Sequence, residues 1–289
     1  KNDHCCGMVV ALLSSNALAA LGAALDPHRA PVTVLDCGPQ QLRVRVPEDD
    51  AVMEAMVAAA HATALAAGED EYDDVMEEQI SNLLTERPAY WAQVWPSAVA
   101  LSRMLLARPS LVAGAHVLEV GSGLGLVAAS AAVAGAASVI ATDREPDALA
   151  FARCNAAENG VGDLVVGALL DWSVPLPMRA LQAALGRDAE PTFDAVLCSD
   201  VLYDESAPPL LASLLHECVV PGGACILADN ADRPYKDLRR EALLKLLCEE
   251  GDFEAEAAAR NVVELKGSLQ GDRFVIEERV LRRAAEPEA

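Results

Sequence analysis

The stretch His116–Asp143, HVLEVGSGLGLVAASAAVAGAASVIATD, constrains the fold more than any other part of the chain. Val117, Leu118 and Val120 form a short apolar run of strand character, and Gly121, Gly123 and Gly125 follow it. Glycines there permit a tight turn in which backbone approaches a ligand with no Cβ in the way. A small-residue helix and a second apolar strand come next, and that strand ends in Asp143. A carboxylate about 20 residues after such a turn is placed to grip the two hydroxyls of an adenosine ribose, so the stretch reads as a nucleotide-cofactor half-site.

Two details narrow the cofactor. The spacing is G-x-G-x-G, whereas dinucleotide binders carry G-x-G-x-x-G, with a third glycine for close helix–strand packing under a pyrophosphate. Glu119 also stands just before the turn, where it would repel a pyrophosphate and suit a cation. Both favour S-adenosylmethionine (SAM), which carries a sulfonium and an ammonium, over NAD.

From Pro96 onward the pattern is regular. Ser97 is placed to cap a helix reaching Ala107, after which strands near 116–120, 138–142, 164–169, 193–199 and 223–228 alternate with helices near 124–134, 146–158, 208–218 and 234–250. Such alternation predicts a parallel sheet with helices on both faces. Asn261–Lys266 and Arg273–Leu281 are further strand candidates with no helix of useful length between them, so the last strand is expected to be antiparallel. The expectation is an α/β fold: a Rossmann-like, seven-stranded, mostly parallel sheet with an antiparallel C-terminal strand, in a domain spanning residues 91–289. Residues 1–90 read as a looser α+β extension, with a hairpin from Val32–Cys37 and Leu42–Val46 and an alanine-rich helix at Asp50–Ala67.

Composition excludes several function classes. The formal charge of −22 repels phosphate backbones and leaves no basic stripe, so nucleic acid is not expected as a partner. Acidity is densest at Glu69–Glu78, either a solvated helix face or a docking patch for a basic protein. No apolar run reaches the roughly 18 to 20 uncharged residues of a membrane span, and no membrane association is expected. The 8 cysteines include no C-x-x-C pair and the 5 histidines no ligand spacing, so reduced thiols and no metal are predicted. A monomeric, cytoplasmic protein is expected. Because the chain starts at Lys1 rather than methionine, it is read as a processed form or fragment, and an organellar location stays open.

Aromatic residues make up only 4% of the chain, which lends weight to where tryptophan occurs. Trp95 precedes the first core helix, and Trp172 follows Asp171 after the third strand. Either ring would stack on adenine, attract a sulfonium, or pack in the core. The fourth strand, FDAVLCSDVLY, releases Asp200 and Tyr203 above the carboxyl end of the sheet, where ligands of open α/β folds bind.

Over about residues 88–230 the chain resembles the seven-β-strand protein-lysine methyltransferases grouped as methyltransferase family 16. The resemblance rests on Val94-Trp95-Pro96, VLEVGSGLGL, the ATD carboxylate Asp143, Asn155 with Asn159-Gly160, Asp171-Trp172, and above all D-x-x-Y as Asp200-Val-Leu-Tyr203. It implies SAM contacts from Trp95, Gly121, Ser122, Gly123, Asp143, Trp172 and Ser199. Glu119, Gly125 and Asp171 join this set from their positions around the turn and strand ends. Asp200 and Tyr203 are the catalytic candidates, Asp200 to hold and orient an incoming lysine and Tyr203 to line its channel. The expected function is SAM-dependent N-methylation of lysine on a protein substrate, with a basic character of that substrate left open. A small-molecule N-methyltransferase and a non-catalytic SAM-binding regulator are the alternatives.

Overall fold

The computed structural model describes residues 25–68, 70–85, 89–172, 178–179, 181–182, 191–265 and 273–285. Lys266 and Glu69, each at one end of a segment singled out above, lie outside these residues. The hairpin is present as β1 (Val32–Asp36) and β2 (Gln41–Arg45), paired antiparallel. Helices α1 (Asp49–Ala67) and α2 (Tyr72–Thr85) follow, with His61 and Tyr72 edge to face at 5.6 Å.

After α3 (Pro96–Ala107) the alternation runs β3 (His116–Val120), α4 (Leu126–Val133), β4 (Ser138–Asp143), α5 (Pro146–Glu158), β5 (Val165–Leu169), β6 (Phe193–Ser199), α6 (Ala207–Cys218), β7 (Val219–Asn230) and α7 (Pro234–Leu244). The chain then adds β8 (Phe253–Ala255), β9 (Ala259–Glu264) and β10 (Arg273–Arg283). Ser97 does not cap α3. The N-cap is Trp95, Pro96 takes the first helical position that its fixed φ suits, and Ser97 is buried in the first turn.

The main sheet has the order β5-β4-β3-β6-β7-β10-β8, with β9 also on β10. β3 to β7 are parallel and β10 is antiparallel to β7. Eight strands fill the seven expected positions, because β10 pairs along one edge with β7 and along the other first with β9 and then with β8.

The parallel strands are apolar on both faces because helices cover both. Val117, Val139, Ala195 and Ile226 join a core with α3, α4 and α5, while Leu118, Ile140, Val196 and Leu227 join a second core with α6 and α7. The hairpin belongs to the first core through Leu35, Leu42 and Val44. It is held to α5 by polar bonds as well: Arg45 N–H donates to Asn155 Oδ1 at 2.7 Å, Arg43 N–H to Asn159 Oδ1 at 2.9 Å, and both guanidinium groups reach Glu158. Asn155 also donates to the Leu124 carbonyl, which ties hairpin, α5 and glycine turn together. Among the described residues all cysteines are free thiols, and no helix is long and apolar enough to cross a membrane.

Candidate active site

A cavity of about 1010 Å³ opens at the carboxyl ends of β3, β4 and β6. One side of it is made of backbone. After β3 the chain turns through Gly121, Gly123 and Gly125 at φ of +68°, +49° and +73°, a region that costs side-chain-bearing residues strain. Ser122 N–H donates to the Thr142 carbonyl at 2.8 Å, and Gly123 N–H donates to Asp143 Oδ2 at 2.9 Å. Asp143 Oδ1 accepts from Glu145 N–H at 3.0 Å. A carboxylate offers about four lone-pair sites, so Asp143 retains capacity for a ligand after serving the turn. Burial pushes its pKa up to about 6, against the pull of those two backbone donors.

Gly125 departs from its expected place. It does not line the cavity, and a Cβ built on it would lie 2.4 Å from Ala152 Cβ, so it exists to let the turn close on α5. Gly121 and Gly123 do line the cavity, together with Ser122. Glu119, Asp171, Trp172 and Ser199 line it as well, as does Trp95. Glu119 is 2% exposed, and burial holds its carboxyl well above the usual carboxylate range.

The ligand chemistry can be read from buried polar atoms that lack a partner. Glu119 Oε2, Ser122 Oγ, Asp147 Oδ1 and Ser199 Oγ are all in this state, and all four residues line the one cavity. Buried polar groups are almost always satisfied, so four orphans around one space describe the acceptors and donors of a polar ligand. Two of the four are carboxyls, with Asp143 beside them, which fits a ligand bearing cationic groups such as SAM.

Trp95 is less available than its position in the sequence suggests. Its indole N–H donates to the Tyr90 carbonyl at 2.7 Å, and the Arg233 guanidinium sits 5.8 Å from its ring centre. Trp91, which the sequence reading passed over, lines the same cavity, stacks obliquely on Phe151 at 5.6 Å and lies close against Gly123. Its signal was available: in so aromatic-poor a chain, Trp91 and Trp95 recur four residues apart in YWAQVW.

The opposite side of the cavity is built from charge. Asp200, the first residue beyond β6, has φ +59° and is alone among the described non-glycine residues in the left-handed region. Its N–H donates to the Ala228 carbonyl at 2.9 Å, and its Oδ1 is bonded to Lys236 Nζ. Lys236 is fully buried and also meets Asp229 Oδ1 at 3.2 Å. A cation from α7 thus already holds Asp200, the residue expected to hold and orient an incoming lysine. Tyr203 lines the cavity with its ring 6.0 Å from Tyr90, and its carbonyl accepts from Arg239. Lys236, in the first turn of α7, carried no signal in the sequence because nothing local distinguishes it from a solvated helix lysine.

A Rossmann-like α/β sheet with a glycine turn, a ribose-height carboxylate and an acidic strand end over one cavity defines a nucleotide-cofactor enzyme fold. The chain belongs to the lysine methyltransferase family, whose profile matches residues 79–239. Among curated proteins it is similar to the electron transfer flavoprotein beta subunit lysine methyltransferase of Rattus norvegicus, 32% identical over 145 residues, covering 50% of this chain and 51% of that protein. It is also similar to the protein N-lysine methyltransferase METTL21A of Danio rerio, 36% identical over 129 residues, covering 43% and 54% respectively. The chain thus spans about half the length of the curated relatives it matches. A solved structure described as the conversion of a disulfide bond into a thioacetal group during echinomycin biosynthesis shares the fold, with a TM-score of 0.50 over 73% of this chain and 94% of that one, at 16% identity.

Proposed function

We propose that the protein is a SAM-dependent protein-lysine N-methyltransferase. The observation that carries this reading is the convergence, on one cavity, of the Gly121–Gly123 turn with Asp143 and, across from it, of Asp200 with Tyr203. Asp143 would hold the ribose, Glu119 and Asp171 the cationic portion, Trp91 and Trp172 the flat surfaces, and Ser122 and Ser199 the remaining polar groups. Bound there, SAM supplies a methyl group already activated on positive sulfur.

The protein's own task is then to align a lysine amine with that methyl and keep it neutral. With a reference pKa near 10.4, only about one exposed lysine in 2,500 is neutral at pH 7. Burial of the amine in a channel lined by Tyr203 favours the neutral form, while Asp200 orients it.

Calorimetry with SAM, S-adenosylhomocysteine and NAD tests the cofactor: heat with the first two and none with NAD is expected, and the reverse overturns the reading. Methyl-labelled SAM incubated with a protein extract tests the acceptor. Label on a protein band is expected, and the electron transfer flavoprotein beta subunit is the first purified acceptor to try, since relatives bear its name. One observation favours a small-molecule acceptor instead: α1 contributes Val52, Met56 and Ala59 to the cavity wall, so the N-terminal segment forms part of the site. Label confined to a low-molecular-weight fraction would select that reading.

A further inference from the structure

Lys236 stands in an expensive place. Its ammonium is fully buried, it lies in the first turn of α7 where the helix dipole disfavours positive charge, and its partner Asp200 is held at φ +59°. Strained and buried charges persist only where the surroundings enforce them, and they cluster where function requires them. Lys236 itself does not line the cavity, whereas Asp200 does. The lysine therefore acts on the cavity through the aspartate.

A bare carboxylate in an acceptor channel works against methyl transfer, since it attracts the incoming ammonium but raises its pKa and keeps the nitrogen lone pair occupied. A carboxylate paired from behind escapes this conflict, because it can still accept a hydrogen bond from the amine while most of its charge is cancelled. We propose that Lys236 is a positioning residue for methyl transfer: locked between Asp200 and Asp229, its ammonium aims the Asp200 carboxylate and offsets its charge, so that the acceptor lysine is oriented as a neutral amine. The inference rests on the lysine-methyltransferase reading and deepens it.

Beyond burial, other charged groups face the cluster and act on it: Arg240 and Arg239 lower the pKa of the Lys236 ammonium, and Arg240 lowers while Glu277 raises that of the Asp229 carboxyl. On α7, Arg239 donates to the Tyr203 carbonyl and Arg240 pairs with Asp237 at 2.9 Å and Glu277 at 3.4 Å. Glu277 on β10 is further engaged by Arg260 and Arg279. On β6, Cys198 is a buried thiol whose pKa is pushed up, first by its contact with Cys225. Tyr203 and Asp204 stand in the loop with Asp200; burial raises the Tyr203 phenol, and Ser206 lowers the Asp204 carboxyl by hydrogen bonding. Burial pushes the Asp229 carboxyl up to about 7 and the Lys236 ammonium down to about 7, each toward neutrality, while the close contacts of Lys236 with Asp200 and Asp229 are of the kind that favours the charged forms.

The test compares wild type, Lys236→Met, Lys236→Arg and Asp229→Asn. Single-turnover methyl transfer from SAM to recombinant electron transfer flavoprotein beta subunit and to poly-L-lysine is followed from pH 6 to 10, beside SAM affinity and thermal melting. Lys236→Met is expected to move the midpoint of the pH–rate profile up by about one unit, and so to slow transfer at pH 7 about tenfold, with SAM affinity unchanged and acceptor KM no weaker. Lys236→Arg should keep the wild-type midpoint, and Asp229→Asn, which removes the second negative charge beside Lys236 while keeping an acceptor oxygen, should move it down. A Lys236→Met profile with the wild-type midpoint overturns the proposal. So does an unmoved midpoint in Asp229→Asn if Lys236→Met fails to fold. Wild-type protein that transfers methyl to neither acceptor would instead overturn the underlying reading, and this inference with it.

Discussion

The two sides of the cavity solve different problems with different materials. The side formed by β3 and β4 is backbone: Gly121 and Gly123, main-chain N–H groups and one carboxylate that pins the turn. The side formed by the end of β6 and the start of α7 is backed by buried charge: Asp200 stands at the cavity, with Asp229 of β7 and Lys236 of α7 behind it. A cofactor of fixed shape can be met by a rigid turn, whereas an acceptor that must arrive and lose a proton has to be met by balanced charge. The contrast predicts that damage to the first side appears as lost affinity or stability, and damage to the second as lost rate.

The largest effect tests that division directly. Asp200→Ala is expected to cut single-turnover methylation by at least about a hundredfold while leaving SAM affinity within about twofold, since the acceptor loses its alignment and the cofactor loses nothing. Near-normal turnover would make Asp200 structural, and lost SAM binding would move it to the cofactor side. Asp143→Ala should show the converse pattern, weakening SAM binding by roughly 1.5–3 kcal/mol, the scale of lost charge-assisted hydrogen bonds. An unchanged affinity by calorimetry would leave Asp143 a turn-pinning residue only.

Two smaller effects sharpen the picture of the backbone side. Gly125→Ala forces a methyl into Ala152 on α5, and chemical denaturation should show a loss of about 1–3 kcal/mol, with the melting temperature lowered accordingly. The smallest expected change is with pH. Asp143 has its pKa pushed up to about 6, and a ribose hydroxyl donates best to the ionised form, so SAM affinity should be full at pH 7.5 and fall as pH drops through about 6. Asp147, also raised to about 6 and also at the cavity, would carry part of this loss, so Asp143→Asn should flatten the dependence without abolishing it.

Legibility in the sequence follows the same divide. The turn, its carboxylate and the strands that frame them are consecutive, so periodicity and glycine spacing were enough to place Gly121, Gly123 and Asp143 at one site. The alternation likewise implied the parallel sheet. Gly125 was misread because a glycine that admits a neighbouring helix and a glycine that admits a ligand look alike until Ala152 is seen against it. The split outer strand was missed because β8 is only three residues long, too short to show a period. The charge cluster was illegible for another reason. Asp200, Asp229 and Lys236 come from different elements, and burial of a lysine is decided by packing that no local pattern announces.

The position of β10 has a consequence for how the molecule is made. Of the strands in the main sheet it is the last in the chain, yet it lies inside the sheet, flanked by β7 on one edge and by β8 and β9 on the other. On a ribosome, β8 and β9 emerge before the strand that is their partner in the sheet, and the edge of β7 stays bare until β10 arrives to close it. For that interval the nascent protein presents an unpaired strand edge of the kind that recruits wrong partners, so this segment is where a chaperone would find its work.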